Sequence, residues 1–164
     1  MIADGIDSQT VSAVPQTLRD FELRCRDLGV PMTVQRRAIS AVLLARRDHP
    51  SADDIAADLA RRIAGISRAT VYRTLETLVS LGLVVRVCHP DAVARYDVKT
   101  DRHHHLICEV CGRISDFDDP SLDALELPDF ARAGFRVRDY SIHVRGVCGT
   151  CRRKSTRAKT RAKP

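Results

Sequence analysis

Residues 67–98 read SRATVYRTLETLVSLGLVVRVCHPDAVARYDV, and a change of period inside that stretch decides the fold. Up to Gly82 the apolar positions Val71, Leu75, Leu78 and Val79 recur at three and four residues, one helix face, behind Ser67 as N-cap. Past Gly82, LVVRVCH (83–89) and VARYDV (93–98) read as two strands joined through Pro90-Asp91-Ala92, a hairpin. The helical period also runs upstream. Leu18, Phe21, Cys25 and Leu28 mark a first helix that stops at Gly29-Val30-Pro31. Thr33 caps a second through Ile39, Val42 and Leu43 to about Arg46. After the break at Asp48-His49-Pro50, Ser51 starts a third, with Asp53 and Asp54 in its first turn and Ile55 and Leu59 inward. Helices followed by a hairpin are the winged-helix order, in which the fourth helix is the recognition element.

Beyond the hairpin the pattern is shorter and mixed. Lys99 to Arg102 forms a polar hinge, followed by strands at 104–110 and 113–117 around Gly112, a helix around 121–133, and a last strand within 135–147. The fold class is therefore α+β: a winged helix over 18–98, a hinge at 99–102, and a small α/β domain over 103–154. Residues 1–17 are polar and aperiodic and read as disordered, as does a basic tail at 155–164. A domain of about 50 residues buries too little surface to stand alone, so it needs a staple, a partner, or both.

The staple is visible as two CxxC pairs, Cys108-Glu-Val-Cys111 and Cys148-Gly-Thr-Cys151. Each pair sets two thiolates on one tight turn, and two such turns complete a closed four-thiolate shell, the arrangement of structural Zn(2+). It ties the first strand of the small domain to its far end. A redox dithiol pair and unligated buried cysteines are the alternatives. Cys25 lies on an apolar helix face and reads as core; Cys88, in the wing, is either core or a thiol without a role.

His103-His104-His105 precedes the first knuckle. On a strand, His103 and His105 share a face and His104 points the other way. Two imidazoles at i and i+2 make half of a metal site, or merely a polar edge strand. Their place between Tyr96-Asp97 and Asp116 favours the metal.

Composition bounds the rest. With 44% hydrophobic residues the chain supports a packed core, and no apolar run approaches the roughly 18 residues of a membrane span. The start, MIADGIDSQT, has no secretory pattern, so a cytoplasmic protein without membrane contact is expected. The net charge is +6, but seven of the 27 basic residues lie in 152–164 with no acid; the remainder carries 20 against 21 acidic, a net of −1. The tail is a solvated extension or an additional, sequence-independent attraction for phosphates.

The runs HPSADDIAADL, ISRATVYRTLETLVSLGLV, RYDV, HHHLICEVCGRISDF and GVCGTC, in this order over about residues 18–154, resemble the ferric uptake regulator (Fur) superfamily. That resemblance implies a homodimeric, metal-dependent repressor of transcription, with an N-terminal winged helix for double-stranded DNA, a C-terminal dimerisation domain, and a regulatory metal site at their junction. Carried over motif by motif, the regulatory ligands are His49, Asp97, His103, His105 and Asp116. Three imidazoles and two carboxylates suit Fe(2+) or Mn(2+). The zinc-sensing branch usually has a cysteine near Asp97. The iron-sensing branch generally has Glu where this chain has Asp116, while the peroxide-sensing (PerR-like) branch has Asp. The resemblance thus implies a peroxide sensor in which a ligand histidine, His49 or His103, is oxidised; an iron-responsive repressor is the alternative. An additional site of some iron sensors maps to Arg102, His104, Asp116 and Tyr140, of which Arg102 and Tyr140 do not suit the ligand role.

In the recognition helix, Arg68 and Arg73 reach guanine edges or phosphates, Tyr72 contacts thymine methyls or backbone, and Thr70 permits close approach. Gln35, Arg36 and Arg37 are expected phosphate contacts, and Pro31-Met32 stand where the family often has a basic residue. An enzyme is not expected: a bound metal could activate water, but no separate general base or substrate loop is evident, and peroxide is the only small molecule in view. A zinc-binding adaptor that does not touch DNA is the other rival.

Overall fold

Each of the first four helices starts on a hydroxyl. Thr17, Thr33, Ser51 and Ser67 accept from the backbone N–H three residues on, and Thr17 with Asp20 and Ser51 with Asp54 close reciprocal capping boxes. In the computed structural model, which describes residues 17–63, 65–87 and 93–161, these caps open α1 (Leu18–Asp27), α2 (Val34–Ala45), α3 (Ala52–Ala60) and α4 (Arg68–Ser80). The wing is the antiparallel pair β1 (Val85–Val87) and β2 (Arg95–Asp97), with Arg86 opposite Tyr96. Its strands are shorter than the sequence suggests, and Cys88 with the Pro90-Asp91-Ala92 tip lies outside the described residues. One continuous core joins the helices to the wing: Phe21, Cys25, Ile39, Leu43, Ile55, Leu75 and Leu78 meet Val84 and Tyr96, all almost fully buried.

The second unit is a three-stranded sheet of order β4-β3-β5, built from β3 (His104–Cys108), β4 (Ile114–Phe117) and β5 (His143–Gly146). β4 is antiparallel to β3 and β5 is parallel to it. Among the described residues its buried core is only Val87, Ile107 and Ile114, and Val87 belongs to β1 of the wing. The architecture is a winged helix followed by a small α/β unit.

Two expectations are corrected. The helix expected around 121–133 is a single turn, α5 (Pro120–Asp123), and a separate 3₁₀ turn at Ala131–Ala133. Pro128 between them has no N–H to donate and disfavours helix at the residue before it. The basic segment expected to be disordered instead continues, to Arg161, as α6 (Gly149–Arg161). Beyond Gly149 that helix has no Gly or Pro, and Arg, Lys and Ala have high helix propensity. No helix among the described residues is long and apolar enough to cross a membrane.

Candidate metal centres and recognition helix

The four cysteines converge. One sulfur from each of Cys108, Cys111, Cys148 and Cys151 lies within 4.8 Å of the others, and Cys111 Sγ is 3.9 Å from Cys148 Sγ. A disulfide needs about 2.05 Å, whereas the edge of a tetrahedron with Zn–S bonds of about 2.3 Å is about 3.8 Å. The backbone favours the thiolate at Cys108 and Cys148. Cys148 N–H donates to Cys108 Sγ at 3.3 Å, and with the amides of Cys111 and Val110 it holds the Cys108 thiol well below its ordinary range. Cys151 is pushed the other way by its three sulfur neighbours, Cys148 foremost. Four thiolates this close repel one another unless a cation sits between them, so the donor set fits a closed zinc site.

The second cluster gathers one donor each from His49, Asp97, His103, His105 and Asp116, again within 4.8 Å. Local structure explains each placement. The turn between α2 and α3 carries His49, and it is pinned to the wing: Tyr96 N–H donates to Pro50 O at 3.0 Å and Ser51 bridges Arg95. His49 therefore arrives beside Asp97, at the end of β2. Asp97 Oδ1 accepts Lys99 N–H at 2.9 Å, which turns Oδ2 toward His103. His105 on β3 stands opposite Asp116 on β4. His103 Nδ1 lies 2.7 Å from Asp101 O, so it carries the proton and leaves the Nε2 lone pair for the site.

The distances are those of donors around an ion. His49 Nε2 is 2.8 Å from Asp116 Oδ1 and 3.4 Å from Asp97 Oδ2; His103 Nε2 is 3.0 Å from Asp97 Oδ2; His105 Nε2 is 3.8 Å from Asp116 Oδ1. Metal–ligand bonds of about 2.1 Å place neighbouring donors about 3 Å apart and opposite ones about 4.2 Å apart. Yet His49 Nε2, His103 Nε2, His105 Nε2 and Asp97 Oδ2 are buried and make no hydrogen bond of proper geometry. Orphaned atoms of this kind are costly when buried, and one divalent cation satisfies them together. Nitrogen and oxygen donors without sulfur fit Fe(2+) or Mn(2+).

Electrostatics divide the histidines. Burial opposes charge on His49, but Asp116 and Asp97 outweigh it and lift the group to about 9. His103 is likewise opposed by burial and raised by Asp97. His105, buried beside two other imidazoles, falls to about 4. Asp97 and Asp116 sit below the ordinary carboxylate range: burial raises each, and the facing histidines overcome it. The sequence singles out all five residues, but not the roles of Asp101 and Lys99, whose backbone groups orient His103 and Asp97. A short loop between two ligands is the only sequence signal for them.

His104 points away, fully buried, against Phe117 and Tyr140, with Nδ1 accepting Ile142 N–H at 3.2 Å. Arg102 lies over the Tyr140 ring and pairs with Asp139 at 2.9 Å, so neither residue joins Asp116 in a third donor set. On α4, Arg68, Tyr72 and Arg73 are exposed and Thr70 is half-buried, its hydroxyl 2.9 Å from that of Ser67. Arg68 pairs with Asp53 of α3. On α2, Gln35 is exposed, Arg37 pairs with Glu22 at 3.0 Å, and half-buried Arg36 donates to Pro31 O.

A winged helix coupled through a nitrogen–oxygen metal site to a cysteine-stapled unit defines a metal-responsive transcriptional regulator. The chain belongs to the ferric uptake regulator family, whose profile matches residues 27–145. A peroxide operon regulator of Bacillus subtilis is 40% identical over 129 residues, covering 79% of this chain and 89% of that one. The peroxide-responsive repressor PerR of Staphylococcus epidermidis is 34% identical over 145 residues, covering 88% and 97%. A solved structure of a zinc-bound manganese uptake regulator matches with a TM-score of 0.63 at 31% identity, covering 78% of this chain and 98% of that one. These relatives are regulators, and this chain is a regulator and not an enzyme.

Proposed function

We propose that the chain is a cytoplasmic, homodimeric repressor whose grip on operator DNA depends on Fe(2+) or Mn(2+) and which senses peroxide by oxidation of His49 or His103. The observation that carries this is the origin of the five donors. His49 and Asp97 come from the winged helix, and His103, His105 and Asp116 from the second unit. Occupancy therefore fixes the angle between the two units, a ligand-biased hinge. Fe(2+) held by these five donors would supply the one-electron reducing power that opens the O–O bond of hydrogen peroxide; in the net balance one peroxide oxygen is added to a ligand imidazole, which is oxidised by two electrons, and the other leaves as water. Asp116, with 34% of its side chain exposed, leaves one side of the site open to a small oxidant. The kinship to peroxide-responsive repressors and the Asp at 116 support this branch over iron-responsive repression without oxidation.

In this reading Cys108, Cys111, Cys148 and Cys151 hold Zn(2+) as a staple. Arg68, Thr70, Tyr72 and Arg73 read the major groove, while Gln35, Arg36 and Arg37 meet phosphates. Val110, Phe130, Phe135, Val137, Val144 and Val147 are exposed apolar residues on a unit with a three-residue core, which supports a second copy of the chain as partner.

The test is the peptide mass of the Fe(2+)-loaded and Mn(2+)-loaded protein before and after brief peroxide. One added oxygen on the His49 or His103 peptide, with iron only and with loss of DNA binding, establishes the sensor. Unmodified histidines, with DNA binding that tracks Fe(2+), establish an iron-responsive repressor instead.

A further inference from the structure

We propose that α6 is a second, sequence-independent grip on duplex DNA, a basic helix mounted on the cysteine knuckle that engages backbone phosphates. The inference rests on the DNA-binding reading of α4. The helix begins at Gly149, inside the Cys148–Cys151 pair, and Arg152 N–H donates to Cys148 O at 2.9 Å. It is therefore a direct continuation of the staple, and Arg152, Arg153, Lys154 and Ser155 are exposed in succession. From Arg152 to Arg161 it holds Arg152, Arg153, Lys154, Arg157, Lys159 and Arg161 and no acid. Without residues 152–164 the chain carries a net charge of −1, so its positive charge resides here.

The spacing fits a phosphate ladder. Positions 153, 157 and 161 recur every fourth residue, which places them on one face of α6, about 6 Å apart along the axis. One DNA strand carries a phosphate per about 3.4 Å of duplex axis, so alternate phosphates are about 6.8 Å apart in projection along that axis. A helix with like charges at i and i+4 repels itself, and a polyanion removes that repulsion. An anionic membrane offers charge too, but a helix lying on a membrane needs an apolar face. The non-basic positions of α6 are Gly149, Thr150, Cys151, Ser155, Thr156, Ala158 and Thr160, which supply none. The chemistry selects DNA.

The experiment titrates full-length, zinc- and Mn(2+)-loaded protein with a short duplex of random sequence from about 50 to about 200 mM salt. The variant Arg153→Gln/Arg157→Gln/Arg161→Gln keeps helix propensity while removing charge. Loss of three phosphate contacts lowers the slope of log affinity against log salt by about 2.7, so over a fourfold rise in salt the wild type loses about 40-fold more affinity than the variant. Unchanged zinc content and melting certify the variant's fold. Equal slopes overturn the proposal, as does wild-type binding to phosphatidylglycerol vesicles that the variant loses while its DNA slope stays. An Arg68→Ala/Arg73→Ala variant in the same titration separates the two readings: if it binds DNA as the wild type does, the reading of α4 fails. Wild-type slopes in the triple Gln variant sink only the role of α6.

Discussion

His49 is the only non-glycine with a positive φ among the described residues, at 51°, and it stands directly before Pro50. Left-handed backbone costs a side-chain-bearing residue about 1–2 kcal/mol, and a residue before proline favours extended backbone. The pinning of Pro50 and Ser51 to β2 sustains it. Between two variants that both lack the imidazole, His49→Gly is expected to be about 1 kcal/mol more stable than His49→Ala in urea, with Mn(2+) binding lost in both. Protonation gives a second expectation. Below about 6.5, the unfolded value, His49 and His103 are protonated whether folded or not, and their attraction to Asp97 and Asp116 is fully present; the His49 contribution fades as pH rises through about 9, and the His103 contribution as pH rises through its own raised value. The depressed carboxylates contribute above their unfolded value of 3.8 and lose that contribution in acid. Zinc-loaded protein without Mn(2+) should therefore lose melting temperature from pH 6.5 to 9. Mn(2+) must displace the protons on His49 and His103, so its affinity should rise over that interval. A melting temperature that climbs there without Mn(2+) contradicts the assignment. Four of the five donors were legible from alternation and position in sequence. His49 came only through the family resemblance, because the turn-to-wing bridge that delivers it is a tertiary contact with no local signature.

At the scale of elements, α4 shows how caps and contacts divide their work. Ser67 accepts Thr70 N–H at 3.1 Å, so Ser67→Ala should cost about 1 kcal/mol of stability and weaken DNA binding together. Arg68→Ala should weaken DNA binding alone, because its ion pair with Asp53 is exposed and adds little to stability. That same carboxylate competes with phosphate for Arg68. Asp53→Asn is accordingly expected to tighten DNA binding a few-fold at low salt, measured by fluorescence anisotropy, while costing only the about 0.3–1 kcal/mol that a first-turn carboxylate of α3 contributes. Helices α1 to α4 were legible because the apolar period in each agrees with a cap, a stop or both. The stretch 121–133 was not, since its apolar spacing resembles a helix and Pro128 alone overrides it. The ordered course of α6 was hidden by composition: a run of charge suggests solvation, while the knuckle that nucleates the helix lies just upstream of it.

Across the whole molecule, stability is unevenly shared. Among the described residues the winged helix owns a large apolar core, whereas the second unit has an apolar cluster of only Val87, Ile107 and Ile114 beside its buried histidines and its cysteines. Cys111→Ser, or zinc removal by a chelator, should therefore melt the second unit first, leaving helical circular dichroism in a separate, later transition. A single cooperative loss of both units would refute this division. One member of that small core, Val87, is contributed by β1 and not by the unit it stabilises. The polar stretch from Lys99, expected from the sequence as a hinge, is thus not where the chain can be cut. A chimaera joined there, with a foreign winged helix in front, would strand the second half with Ile107 and Ile114 alone. A graft that keeps this protein's own chain from Leu83 onward carries Val87 with it. Swapping DNA specificity between relatives should succeed at α4 and fail at the apparent domain boundary.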